Sequence, residues 1–231
     1  MIYFIIMTSF RLKVLACITM LIDHIGWILF PQLTILNIIG RLSFPIFAYL
    51  IAEGSTKTKN INSYFKRLLL FALLSQIPYS VAGYLTESDP FTLNIIFTLT
   101  TGLLLIHLIQ LKRYLSFTIL FLVLIVLDFI VTYDYGAYGL LLILLSYLLI
   151  KKRIWGSLAI IVLTIIESIK IPVGKFDISE IDFGNQFFAI LSLVPILLYK
   201  GEQGTKISKW FFYFFYPVHL IVLILIYILI K

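Results

Sequence analysis

The chain has 231 residues, 61% of them hydrophobic and 13% charged, with a mean hydropathy of +1.08, where soluble domains carry roughly 25% charged residues. This balance excludes a water-soluble core and points to an all-α, polytopic integral-membrane helical bundle of one domain over 1–231. The single cysteine, Cys17, excludes a disulfide framework and a zinc site built on cysteines, and a net charge of +7 raises the question of what the basic residues are for.

In chain order, the apolar runs predict spanning helices near 12–30, 33–52, 63–84, 92–111, 114–131, 137–150, 154–171, 185–199 and 209–230, about nine in all, within a range of roughly eight to ten. Residues 1–6 are apolar but precede Arg11 and Lys13, the reverse of the order in a cleavable signal. The first run holds Asp23-His24, roughly 10 Å from its far end, and the second holds Arg41, roughly 12 Å in from the same side. After the second run come Ala52-Glu53-Gly54, a hydroxyl-rich loop with Lys57 and Lys59, and then Tyr64-Phe65-Lys66-Arg67. His107, beside Gln110 and Lys112, reads as interfacial, and Asp128 and Glu167 lie near helix ends where they can reach water. The sixth to eighth runs are short, as in tilted or re-entrant segments. The last run opens with aromatic residues 210–216, suited to an interfacial belt and to helix packing, and carries Pro217 and then His219, roughly 15 Å deep. Proline at that place is expected to kink the helix and free a backbone carbonyl inside the bundle.

Assigning the connections alternately to two sides separates the charges. One side receives Arg11, Lys13, Lys57, Lys59, Lys66, Arg67, Lys112, Arg113, Lys151, Lys152, Arg153, Lys200, Lys206 and Lys209. The other receives Lys170, Lys175 and Lys231 with Glu87, Asp89, Asp134, Asp177, Glu180 and Asp182. Because short basic loops stay in the cytoplasm, this asymmetry places the N-terminus inside and the C-terminus outside. The basic residues therefore read as a topology signal, with a lipid bilayer and no nucleic acid as the partner.

Ionisable groups in hydrocarbon are costly and mark functional sites by default. Arg41 is the natural counter-ion of Asp23, and a plain bridge locking two helices is an equal reading of that pair. Neighbours on a helix point about 100° apart, so the partner of the His24 ring should come from another helix. An imidazole there suits proton transfer, and His219 is expected to face the same cavity from below. The loop around Lys57 and Lys59, with Lys66 and Arg67, has the hydroxyls, glycine and cations that hold phosphates, but not the spacing of a nucleotide-hydrolysing loop.

The run Leu12-Lys13-Val14-Leu15-Ala16, Met20, Asp23-His24-Ile25-Gly26, Phe30-Pro31, Gly40-Arg41, Phe44-Pro45-Ile46-Phe47-Ala48, Ala52-Glu53-Gly54, Tyr64 and Arg67-Leu68 resembles the TraX family of integral-membrane acetyltransferases. The likeness continues through Asn94-Ile95-Ile96-Phe97-Thr98-Leu99, the Tyr199-Lys200-Gly201 turn with Gly204, and Phe212-Tyr213-Phe214-Phe215-Tyr216-Pro217-Val218-His219-Leu220. It carries little beyond hydrophobicity from 115 to 183. The resemblance implies a multi-pass enzyme of the bacterial cytoplasmic membrane that moves acetyl from cytoplasmic acetyl-CoA to an amine or hydroxyl acceptor, such as a pilin-type protein N-terminus or a surface glycan. Under that reading the CoA phosphates are expected on Lys57, Lys59, Lys66 and Arg67, with Glu53 at the inner mouth. His24 is the expected base, Arg41 steadied by Asp23 the oxyanion partner, and His219 the group that orients the thioester or carries a second proton. Transfer directly or through an acetyl-imidazole both fit. A small proton-coupled transporter and a non-enzymatic assembly or immunity protein are the alternatives, although no repeat symmetry favours the former.

Overall fold

The computed structural model describes residues 7–170 and 182–231. Residues 1–6, and Lys175, Asp177 and Glu180 among the charges assigned above, lie outside the described residues. The chain folds as an all-α membrane protein with ten α-helices among the described residues. They are α1 (Ser9–Ile28), α2 (Thr34–Gly40), α3 (Ser43–Lys57), α4 (Ile61–Leu85), α5 (Ile95–Gln110), α6 (Tyr114–Asp128), α7 (Gly136–Lys151), α8 (Arg153–Ser168), α9 (Leu193–Leu198) and α10 (Lys209–Ile230). A 3-10 helix, Asn185–Ser192, leads into α9, and a two-residue antiparallel pairing joins Ile169–Lys170 to Asp182–Phe183.

Three stretches are long and apolar enough to cross a membrane: Thr34–Lys57, Ile61–Leu85 and Lys209–Ile230. Ile95–Gln110, Tyr114–Asp128, Gly136–Lys151 and Asn185–Leu198 are shorter apolar helices. Among the described residues each apolar run read from the sequence contains helix, the one begun at 154 being helical to Ser168, and two runs are not a single α-helix. The second run is broken into α2 and α3 at Arg41 and Leu42. The eighth is mostly 3-10, a tighter winding that gains about 2.0 Å per residue instead of 1.5 Å and so reaches further with few residues.

Helix starts follow local chemistry. Thr8, Asn60 and Asn94 cap α1, α4 and α5, their side-chain oxygens accepting from the amides of Arg11, Ser63 and Ile96 at 3.3, 2.9 and 3.0 Å. Small residues let the helices approach closely, as lipid-embedded packing requires: Ala16, Ala48, Ala52 and Ala72 are fully buried, and a Cβ on Gly102 would fall 2.5 Å from Ile143. Around α1 stand α2, α3 and α10; α5 and α7 pack behind α3, and α4 closes the circle between α10 and α5. α6 is peripheral, with Leu124 its one buried side chain and Leu122 57% exposed, an apolar surface for lipid.

The two ends of this bundle differ. At one end, where α1, α4 and α10 begin and α3 finishes, Lys13, Lys57, Arg67 and Lys209 surround a cavity. At the other, where α6 and α8 finish and α7 begins, Asp128, Asp134 and Glu167 surround a recess. We refer to them as the basic and the acidic end.

Candidate functional site

Between these ends lies a buried pair of histidines. On α1, His24 falls on the face that also buries Leu12, Ala16 and Met20, so its ring enters the bundle; it is 7% exposed. His219, on the buried face of α10, is equally enclosed, and its Nε2 lies 2.6 Å from His24 Nδ1. The ring planes differ by 5° with centroids 4.9 Å apart, the geometry of an in-plane hydrogen bond. The partner of His24 thus comes from another helix. His219 Nδ1 in turn lies 2.7 Å from the carbonyl oxygen of Phe215. Since a carbonyl only accepts, His219 Nδ1 carries a proton and donates it. A neutral His219 then offers a lone pair at Nε2, His24 Nδ1 donates to it, and the unprotonated nitrogen of His24 is Nε2. One carbonyl therefore sets the tautomer of both rings. Trp27 and Tyr216 meet His24 edge-on, each at 5.8 Å, and Phe215 stacks on His219 at 4.9 Å.

Asp23, one residue earlier, points to α2. Arg41 Nη2 donates to its two carboxylate oxygens at 3.0 and 3.3 Å, while Arg41 Nε donates to the Asn37 carbonyl at 3.3 Å. The Asn37 amide lies 3.4 Å from Asp23 Oδ1. Gly40 is what permits this closeness: a Cβ there would sit 2.2 to 2.4 Å from atoms of Asp23. The α2–α3 break occurs where the Arg41 side chain folds back onto Asn37 and Asp23. The guanidinium also lies 5.7 Å from the Tyr135 ring centroid, and that ring stacks on Phe44 at 4.2 Å.

Arg41 opens onto the acidic recess, a space of about 520 Å³ whose walls include Asp128, Asp134, Tyr135, Tyr138, Glu167 and Gln186. His24 and His219 are not part of its wall, nor of the basic cavity's. Of the residues expected to line one chamber, Arg41 lines the recess, while His24 and His219 line neither of these two cavities. Asp128 is more than a group reaching for water: its carboxylate accepts from the amides of Tyr133 at 3.2 Å and Ala137 at 3.1 Å, holding the turn into α7.

The basic cavity measures about 730 Å³. Lys57 and Arg67 line it, as does Glu53, but Lys59 and Lys66 do not; in their stead Lys13 and Lys209 contribute. Lys57 Nζ bridges Glu53 Oε1 at 2.7 Å, the Tyr199 hydroxyl at 3.3 Å and the Gly201 carbonyl at 3.4 Å. Glu53 is 8% exposed, and this bridge answers its charge. Arg67 has its guanidinium 5.8 Å from the centre of the Tyr64 ring, and its buried Nε is left without a hydrogen-bond partner. A segment running from Tyr199 to Gly204 crosses the mouth. The Glu202 and Gln203 carbonyls accept from the first amides of α1, those of Ser9 and Phe10, at 2.8 and 3.2 Å. Gly201 (φ 88°) and Gly204 (φ 71°) supply the left-handed backbone this path needs. With four cations and one carboxylate already bridged, the cavity suits a polyanion. Its deep end is formed by Met20 and Tyr216, one helical turn from His24 and in ring contact with it respectively.

Lys13 was legible only as a topology signal, yet it lies 11 residues before His24 on α1, three turns of helix and hence the same face. Lys209 stands in the same relation to Tyr216, two turns apart on α10.

A family model described as TraX protein matches residues 9–227 of the chain. The chain is 29% identical over 245 residues, 94% of each sequence, to a protein of Dichelobacter nodosus named probable fimbrial assembly protein FimC, serogroup H1. A segment covering 16% of the chain is 58% identical over 38 residues to an uncharacterized protein of Rickettsia prowazekii (strain Madrid E), 15% of whose length it spans. No solved structure matches the chain.

Proposed function

The chain belongs to the TraX family, and on that footing we propose that it is a membrane-embedded acetyltransferase, taking acetyl from cytoplasmic acetyl-CoA and delivering it to an amine or hydroxyl acceptor. The observation that carries the reading is the hydrogen-bonded chain from His24 through His219 to the Phe215 carbonyl. It leaves His24 Nε2 as an unprotonated nitrogen in a low-dielectric layer, where proton transfer and nucleophilic attack on an acyl carbon are both served. Structural packing alone does not call for two facing imidazoles at membrane depth.

The basic end faces the cytoplasm in this scheme. The phosphates of CoA meet Lys13, Lys57, Arg67 and Lys209, whose charges recognise a polyanion, and Arg67 Nε gains the acceptor it lacks. The slender pantetheine arm runs up the apolar part of the cavity, along Ile51, Ile96 and Leu99, to bring the thioester beneath Tyr216 and His24. The acceptor approaches from the acidic recess. Arg41 Nη1, free of the bonds to Asp23 and Asn37, stabilises the oxyanion directly or through water. A relative named for fimbrial assembly supports a pilin-type N-terminus as the acceptor.

The experiment is acetyl transfer by the purified protein in nanodiscs, with labelled acetyl-CoA and a short peptide carrying a free N-terminus. Labelled peptide is expected, with His24→Ala falling to background while its thermal unfolding stays close to that of the wild type. A wild-type protein that folds but turns over no acetyl-CoA overturns the reading in favour of a non-catalytic assembly protein.

A further inference from the structure

Among the described residues three buried side-chain atoms have no hydrogen-bond partner: Arg67 Nε, Ser75 Oγ and Tyr216 Oη. Ser75 lines neither cavity, but Arg67 and Tyr216 both belong to the wall of the basic one. On α10 the wall takes Lys209, Phe212, Tyr213 and Tyr216, spaced three and four apart as one stripe of the helix. Tyr216 is the innermost of the four and is 4% exposed. Its oxygen faces the Ile95 amide at the start of α5 without closing a full hydrogen bond. An amide only donates, so it is the hydroxyl proton that lacks an acceptor.

The two unpartnered donors lie at different depths. Both α4 and α10 begin at the basic end, and the Phe71 ring stacks on Tyr213 at 5.1 Å. Arg67 is one turn before Phe71 and Tyr216 nearly one turn beyond Tyr213, which separates them by roughly 10 Å along the bundle. Around Tyr216 the wall is apolar, with Met20, Ile96 and Leu99. A ligand that satisfies both donors carries an anion at one end and an acceptor oxygen at the other.

Resting on the acyltransfer reading above, we infer that the Tyr216 hydroxyl is a catalytic donor that holds the thioester carbonyl oxygen of acetyl-CoA at the inner end of the basic cavity. The phosphates of acetyl-CoA lie at one end of the molecule and that carbonyl at the other. When the nucleophile bonds to the carbonyl carbon, the C=O electron pair moves onto oxygen; as it returns the C–S bond breaks and CoA leaves as thiolate. The proton lost by the acceptor amine or hydroxyl balances the one the thiolate takes up. Tyr216 keeps its own proton throughout, and its hydrogen bond strengthens as charge gathers on the oxygen, so it favours the transition state over the bound thioester. This donor acts from the basic side, in addition to Arg41 on the recess. A buried hydroxyl without an acceptor costs stability, and phenylalanine fills the same space without that cost.

The test compares Tyr216→Phe with the wild type in nanodiscs. Acetyl transfer to a peptide with a free N-terminus, thermal unfolding, and the infrared carbonyl band of isotope-labelled acetyl-CoA bound without acceptor are measured for both. The kcat is expected to fall by about 100-fold, the scale of one lost oxyanion donor, while the KM for acetyl-CoA stays near the wild-type value and the unfolding temperature holds or rises. The carbonyl band is expected at lower frequency in the wild type than in the variant, a reading of the hydrogen bond that requires no turnover. An unchanged kcat, a loss confined to KM, a band at one frequency in both proteins, or an unfolding temperature that falls with activity overturns the donor role and leaves the acyltransfer reading standing. A wild type that binds acetyl-CoA but transfers none overturns that reading, and this inference with it.

Discussion

Asp23 and His24 are consecutive residues that meet different neighbours for different ends. Asp23 faces α2, where a guanidinium, an amide and the absence of a side chain on Gly40 close around it. His24 faces α10, where one acceptor nitrogen meets it and its other nitrogen keeps its lone pair. The first environment satisfies its polar group almost completely; the second leaves one unsatisfied. In a medium where unpaired polar atoms are costly, the incomplete environment is the one to associate with chemistry, and the complete one with holding helices in register.

That contrast can be broken by substitution. The largest effect on stability is expected for Arg41→Ala, which leaves the mostly enclosed Asp23 without its counter-ion and should cost about 3 kcal/mol, the low end for a broken buried pair. Unfolding in detergent measures it, and Asp23→Asn combined with Arg41→Gln should recover part of the loss. If Arg41→Ala were no more harmful to folding than His24→Ala, the division of labour would fail. Gly40→Ala places a methyl inside the van der Waals radius of Asp23 and is expected to cost about 2 kcal/mol, as overpacking does. Because the clash pries Asp23 from Arg41, its effect should be smaller in an Asp23→Ala background, a coupling that a double-mutant cycle reads directly.

The smallest effect concerns the recess. Burial pushes the Asp134 carboxyl up from 3.8 to about 7, with Arg41 opposing and Asp23 adding to the rise. The native state thus holds a proton that the unfolded chain releases, so stability falls as pH rises from about 4 to about 7 and levels off above. Asp134→Asn should flatten this fall, as thermal unfolding followed across that window would show; an unchanged slope would assign the pH dependence to another group.

Much of the architecture was legible because hydropathy alone marks where a chain must be helical in lipid. The Asp23–Arg41 pair was legible for a related reason: a buried carboxylate needs a cation, and only Arg41 lay at matching depth. That His24 takes its partner from another helix and that His219 faces the same layer was legible, but their direct bond was not, because depth says nothing of rotation about the helix axis and 195 positions separate the two. Also hidden was the turn at Arg41 and Leu42, which the unbroken apolar run around them conceals. Lys13 and Lys209 were masked by the very rule that orients the protein, since a cation near a cytoplasmic helix end already has an explanation. Lys59 and Lys66 matched the chemistry of a phosphate loop, but the fold leaves them outside the cavity wall.

The first turn of α1 finds acceptors for its amides on Glu202 and Gln203. These residues are synthesised only after α2 to α9, so the leading end of α1 stays untied until all of those helices have been made. The histidine layer waits longer still, for α10. An interrupted polypeptide would accordingly hold most of its helices yet possess neither a finished mouth nor a finished centre, and such a fragment could not release half-formed reactivity into the cell.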